Sequence, residues 1–125
     1  MTRLFIAAAG LAALSSLARA QAIPVTVSEW KVELAHDTVR AGAVTFRVKN
    51  EGTMVHGFQV EGPGVDKGTP QIAAGESASL TVTLKPGTYE LYCPMSDLTH
   101  KAAGMVKKLT VTGGAAPAAP KKPEP

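Results

Sequence analysis

Apolar and polar positions alternate with a period of two over much of the chain. Val44, Phe46 and Val48 alternate with Thr45, Arg47 and Lys49, and Leu80, Val82 and Leu84 with Ser79, Thr81, Thr83 and Lys85. Successive side chains of an extended strand point to opposite faces, so this alternation predicts half-buried strands with one face on a core. Val25 and Val27 begin the same pattern, and Trp30, Val32 and Leu34 continue it one residue out of phase. A bulge or bend near Ser28 would account for that slip. Turn chemistry separates the runs at Ala41-Gly42, Asn50-Glu51-Gly52, Glu61-Gly62-Pro63-Gly64, Ala74-Gly75 and Pro86-Gly87. The spacing predicts seven strands, near 23–27, 29–34, 43–49, 55–61, 78–85, 88–93 and 105–112, and no stretch sustains a helical period. Short strands with regular turns predict an all-β fold, a two-sheet antiparallel β-sandwich of about seven strands.

The two ends break this pattern. Arg3 is followed by an unbroken apolar and small run from Leu4 to Leu17, and Ala18-Arg19-Ala20 supplies the small-x-small signal of a peptidase site. Residues 1–20 therefore read as a cleaved signal peptide. The run is too short for a membrane span, which needs about 20 apolar residues, and no cysteine follows the cleavage point to take a lipid. From Gly113 to Pro125 the chain reads GGAAPAAPKKPEP, with no bulky apolar side chain to bury, so residues 113–125 read as a flexible tail. Residues 21–112 remain for one folded domain.

The 125-residue chain carries 13 Lys and Arg against 10 Asp and Glu, a net charge of +3. Without Arg3 and Arg19, the balance falls to 11 against 10. Lys107-Lys108 and Lys121-Lys122 are the dense basic spots, and neither is interleaved with aromatic residues. A nucleic-acid partner is excluded on that ground.

One cysteine and three histidines limit the chemistry further. A lone cysteine closes no internal disulfide and builds no four-cysteine metal site. The strand phases place the remaining donors. His56 shares its parity with Phe58 and Val60, Cys93 with Tyr89 and Leu91, and Met105 with Leu109 and Val111, although Lys107 interrupts that last face. Each is predicted inward-facing at a strand end, and His100 lies in the loop between the last two strands. Singly, such residues are usually core: a buried His with its bonds satisfied, a gap-filling Met, a small apolar Cys. Together, the spacing Cys93-x6-His100-x4-Met105 with His56 in phase on another strand brings four nitrogen and sulfur donors to one end of the sandwich. Two imidazoles, one thiolate and a thioether suit copper; zinc seldom accepts a thioether, and calcium and magnesium want oxygen ligands. His36, beside Asp37 before a turn, reads as a surface residue, and Trp30 as core.

These features resemble the cupredoxin family of small blue-copper proteins, of the plastocyanin, amicyanin and pseudoazurin type. The resemblance spans nearly the whole domain and is carried by the Trp30 strand, AGAVTFRVKNEGTMVHGF, LKPGTYELYC and HKAAGMVKKLTV. It implies a Greek-key β-sandwich and one type 1 copper ion, with His56, Cys93 and His100 as ligands and Met105 as the axial one. Three positions depart from the family pattern. The Cys93-to-His100 loop is longer than the common ones. Gly57 stands where many members have an asparagine that braces the cysteine loop, leaving Ser96 or Asp97 to do so. Pro94 offers no N–H to the thiolate.

The resemblance implies electron carriage by Cu(I)/Cu(II) cycling between exported or membrane redox partners, in the periplasm or otherwise outside a bacterial cytoplasm. Transient docking is expected near His100, on a patch of Met54, Pro94, Met95, Leu98, Ala102 and Ala103, by a monomer. The alternative is a copper carrier or chaperone delivering the ion to another protein. An oxidase or reductase needs a second copper cluster with more histidines than three, so an enzyme is not expected.

Overall fold

In a computed structural model, residues 21–113 are described. The signal peptide read at 1–20, and all of the expected tail but Gly113, lie outside them. Strand β1 (Gln21–Ser28) turns through Glu29 and Trp30 into β2 (Lys31–Leu34), with Ser28 facing Lys31 and Val27 facing Val32. The phase slip at Ser28 is therefore a chain reversal and not a bulge: the two turn residues belong to neither face, and alternation restarts beyond them.

The chain continues through β3 (Thr38–Arg40), β4 (Gly42–Asn50), β5 (Gln59–Gly62), β6 (Val65–Gly68), β7 (Ser77–Leu84), β8 (Gly87–Tyr92), one turn of helix α1 (Thr99–Ala102) and β9 (Val106–Thr112). The strands form two sheets, ordered β2-β1-β4-β7 and β3-β9-β8-β5-β6. The described residues thus hold nine strands where seven were expected. The two additional ones, β3 and β6, are edge strands of three and four residues with a single apolar side chain each, Val39 and Val65. So short a run carries no readable alternation.

Both sheets are also mixed, where antiparallel pairing alone was expected: β1 runs parallel to β4, and β3 to β9. The cause is the path through residues 35–42. The chain reverses after β2, runs through β3 in one sheet, and enters β4 in the other after a single residue, Ala41. Gly42 makes that switch at φ 124°, a conformation that side-chain-bearing residues rarely adopt. β4 then arrives beside β1 in the same direction.

The inward faces meet in one core, which includes Ile23, Val25, Val44 and Val48 from one sheet and Val60, Leu91, Leu109 and Val111 from the other. Phe46 and Phe58, both fully buried, pack across it with ring centroids 5.3 Å apart. Burying a side chain of that size contributes about 3 kcal/mol. Lys107, opposite Leu91, interrupts the inward face of β9 because it opens onto a surface depression lined by residues 34–38. Among the described residues no helix is long and apolar enough to cross a membrane.

Candidate metal centre

His56 is set by the loop that follows β4. Asn50, fully buried at the end of that strand, donates through Nδ2 to the carbonyls of Met54 and Ile72, both at 2.8 Å, and accepts from the Gly52 N–H at 2.9 Å. These bonds hold the loop against the chain that leads into β7. The backbone of His56 then pairs with Ile72 in both directions, at 3.1 and 2.7 Å. The strand expected at 55–61 is divided accordingly: His56 forms an isolated bridge to Ile72, and β5 begins only at Gln59. The parity expectation holds, since His56, Phe58 and Val60 are all buried.

Cys93 directly follows β8, and Met105 directly precedes β9, the strand paired with β8. The Cys93 N–H donates to the Met105 carbonyl at 3.1 Å, and the Met105 N–H to the His100 carbonyl at 3.1 Å. The long loop is thereby closed by its own backbone. Within it Ser96, Asp97 and Leu98 are all left-handed, with φ of 55°, 52° and 68°. This tight coil returns the chain so that α1 carries His100 inward. Neither Ser96 nor Asp97 makes a side-chain hydrogen bond among the described residues, so the brace expected from them is not formed. The Pro94 ring instead lies over Gly57, where an added Cβ would meet the proline Cδ at 3.3 Å.

The three donor side chains converge. His56 Nδ1 and His100 Nδ1 are 3.3 Å apart, and Cys93 Sγ lies 3.9 Å from the first and 3.7 Å from the second. The point equidistant from the corners of such a triangle (the product of its sides over four times its area) is about 2.1 Å from each donor, which matches metal bonds of about 2.0–2.3 Å to imidazole nitrogen and thiolate sulfur. All three residues are buried, as is Met105. Crowding two ring nitrogens and a thiol in a dry interior is favourable only if a cation or proton lies among them. His56, Cys93, His100 and Met105 form the pattern of a type 1 copper site. His36 is exposed and stands outside this cluster.

Two neighbours come from the β1–β2 turn. Glu29 Oε1 accepts from His56 Nε2 at 3.1 Å and from the backbone N–H groups of Thr53 and Met54 at 2.8 Å each. Its carboxyl is held down at about 2, first by its own backbone N–H and then by those of Met54 and Thr53 and the His56 ring, against partial desolvation. Trp30 is 41% exposed, which corrects its reading as core. Its ring stands at 84° to His100 with centroids 4.9 Å apart, and at 80° to His56 at 6.5 Å. The sequence signal for both was the phase slip at Ser28, which marks a turn whose side chains are free to face another loop. The Gly57 N–H donates to the Cys93 Sγ at 3.3 Å.

Comparison with solved structures gives the same fold. Auracyanin from the photosynthetic bacterium Roseiflexus castenholzii superposes with a TM-score of 0.64 at 22% identity, over 74% of this chain and 98% of that one. Auracyanin A from Chloroflexus aurantiacus, a "blue" copper protein, gives 0.56 at 23% identity, over 71% and 99%. A blue copper oxidase from Nitrosomonas europaea gives 0.59 at 18% identity, over 78% of this chain but 40% of that one. No curated protein matches the chain significantly. The family model of the cupredoxin-like domain matches residues 2–106. The chain belongs to the cupredoxin-like domain family.

Proposed function

We propose that this chain is an exported, single-domain copper protein that carries electrons, with His56, Cys93 and His100 as ligands in one plane and Met105 as the axial ligand. The observation that carries the reading is the triangle of donors, whose centre lies about one metal–ligand bond from all three. Copper bound there supplies a one-electron Cu(I)/Cu(II) couple, for which two imidazoles, a thiolate and a weak thioether are a fitting donor set.

The chain's own part is to hold that set. Cys93 and Met105 are joined by a backbone hydrogen bond, His56 is pinned to Ile72, and the Gly57 N–H donates to the sulfur. Donors held this firmly have little to rearrange when the charge of the centre changes. Burial of all four excludes water, which would otherwise add a ligand.

Partners are proposed to dock over the loops that bear the ligands. Among the described residues, Trp30, Met54, Val55 and Leu98 are large apolar side chains left exposed, and each lies on or against those loops. Met54, Leu98, Ala102 and Ala103 of the expected patch are exposed, with Pro94 and Met95 half-buried. A small apolar face of this kind favours brief complexes. Export rests on the leader sequence at residues 1–20. In keeping with its removal, Gln21 already pairs with Val44 and bonds Arg40 through its side chain.

Addition of Cu(II) to the purified metal-free protein tests the proposal. An intense visible thiolate-to-copper band and reversible one-electron voltammetry are expected at one equivalent. Tight Cu(I) binding without a stable Cu(II) form would move the assignment to copper delivery, and no band with an unchanged Tm would overturn the copper assignment.

A further inference from the structure

The carboxylate of Glu29, a half-buried turn residue, is tied closely to the site. A single oxygen, Oε1, takes three donors: the N–H groups of Thr53 and Met54 and Nε2 of His56. The space it occupies is kept open by the absence of a side chain at Gly52. A Cβ built there would lie 2.5 Å from Oε1 and 2.6 Å from Oε2, closer than real contacts allow. The β1–β2 hairpin, remote in sequence, is thus latched onto the loop that delivers His56.

We propose that Glu29 is a positioning residue for His56, fixing its ring tautomer and lowering the reduction potential of the site, and that Gly52 keeps the room for its carboxylate. The inference rests on the copper reading given above for its effect on potential, but not for its effect on the ring.

The chemistry has two parts. A neutral imidazole carries one N–H, and the hydrogen bond at one nitrogen decides which nitrogen is bare. With Nε2–H donated to Glu29, the lone pair is left on Nδ1, the atom that faces Cys93 and His100. Rotating the ring by half a turn forfeits that bond, so the carboxylate sets orientation as well as tautomer. The second part is charge. A carboxylate on the far nitrogen makes the imidazole a stronger electron donor and places negative charge one ring away from the metal position. Both effects favour the more positive oxidation state, so Cu(II) gains over Cu(I) and the potential falls.

Three variants of the full chain separate the parts. Glu29→Gln keeps an accepting oxygen and removes the charge; Glu29→Ala removes both; Gly52→Ala changes no charge but denies the carboxylate its place. Nitrogen-15 NMR of the metal-free protein reads the His56 tautomer. Competition with a chelator reads Cu(II) affinity, voltammetry reads the potential, and thermal melting confirms folding. Glu29→Gln is expected to keep the tautomer and the visible band while raising the potential; each tenfold loss of Cu(II) relative to Cu(I) affinity reads as about 59 mV. Glu29→Ala and Gly52→Ala are expected to mix the tautomers and to lose Cu(II) affinity by roughly 10- to 100-fold. An unchanged potential in a blue Glu29→Gln protein overturns the electrostatic part. A single unaltered tautomer in folded Glu29→Ala overturns the positioning part. Absence of a visible band in the parent protein defeats the copper reading instead, and leaves the tautomer measurement standing as the judge of Glu29.

Discussion

The indole of Trp30 stands edge-to-face with the imidazole of His100, the ring centroids 4.9 Å apart and the planes at 84°. Such a pairing of aromatic rings contributes about 0.5–1.5 kcal/mol beyond the area it buries. It also makes Trp30 a reporter, because it is the single tryptophan of the chain and lies one ring away from the donor cluster. Cu(II) added to the metal-free protein is expected to quench tryptophan emission and to reach its end point at one equivalent. Emission that ignores the metal while the visible band grows would show that the ring does not sit on His100 in solution. Trp30→Ala uncovers both imidazoles, and faster loss of copper to a chelator is expected from it, with little change in the band.

The donors differ in what their loss does. Cys93 Sγ is the only soft anion in the triangle, so Cys93→Ser is expected to abolish the thiolate-to-copper band altogether. His56→Ala and His100→Ala each open one corner of the plane and are expected to bleach or broaden the band and to weaken binding. Met105→Gln is expected to keep the colour and shift the band and the potential, since the axial bond in such sites is long and weak. Visible absorption and electron paramagnetic resonance of the four variants test this order. A Met105→Gln spectrum identical to the parent would remove Met105 from the site, and Met95, half-buried beside Gly57, is the thioether to examine next.

Much of this site is written locally in the chain. Cys93, His100 and Met105 fall within 13 residues, and strand parity alone turns His56, Cys93 and Met105 inward. The long alternating strands β4 and β7 are legible for the same reason: eight or nine residues give several turns of the period. What escapes is what depends on pairing across long separations. β3 and β6 hold one apolar residue each and are strands only because β9 and β5 offer them an edge. Glu29 reaches His56 across 27 positions, and its role follows from the space at Gly52, which no period encodes. Trp30 reads as core because it is a large apolar residue in strand phase. Its place in a two-residue turn puts it at the rim, against the imidazoles.

On the outer face of the five-stranded sheet, the Tyr92 hydroxyl donates to Glu61 Oε2 at 2.8 Å, and the Lys101 ammonium, paired with Glu90, lies 4.2 Å from the centre of its ring. Burial first, and then the Glu61 carboxylate, raise its pKa to about 12. A phenol whose folded pKa is raised binds its proton more tightly when folded. Its contribution is full below the unfolded value near 10 and is lost as the pH climbs from there towards about 12. Stability is therefore expected to fall across that interval. Glu61→Gln removes both the acceptor charge and its repulsion of the phenolate, so the ultraviolet phenolate transition assigned to Tyr92 by its loss in Tyr92→Phe is expected at lower pH. A transition in the same place in Glu61→Gln would show that burial alone sets it.

The loop between Cys93 and His100 carries its strain in the open. Ser96, Asp97 and Leu98 are consecutive left-handed residues, and all three are exposed. For a residue with a Cβ that conformation costs roughly 1–2 kcal/mol, and glycine escapes most of it. Ser96 has no side-chain hydrogen bond among the described residues; only its carbonyl is engaged, accepting from Thr99. Ser96→Gly is therefore expected to stabilise the protein by up to about 1 kcal/mol, even though glycine adds freedom to the unfolded chain. Ser79 is the control: exposed, but extended within β7, where the same change is expected to destabilise by about 0.5–1 kcal/mol. One chemical substitution thus has opposite signs at two exposed serines, and a domain of this size shifts its Tm by roughly 4–8 °C per kcal/mol. Thermal melting of the two metal-free variants decides it. If Ser96→Gly melts below the parent, as Ser79→Gly should, the left-handed coil is not the resting form of the loop. The visible band of copper-loaded Ser96→Gly should match the parent, because the backbone that carries His100 inward is the same and only its cost has changed.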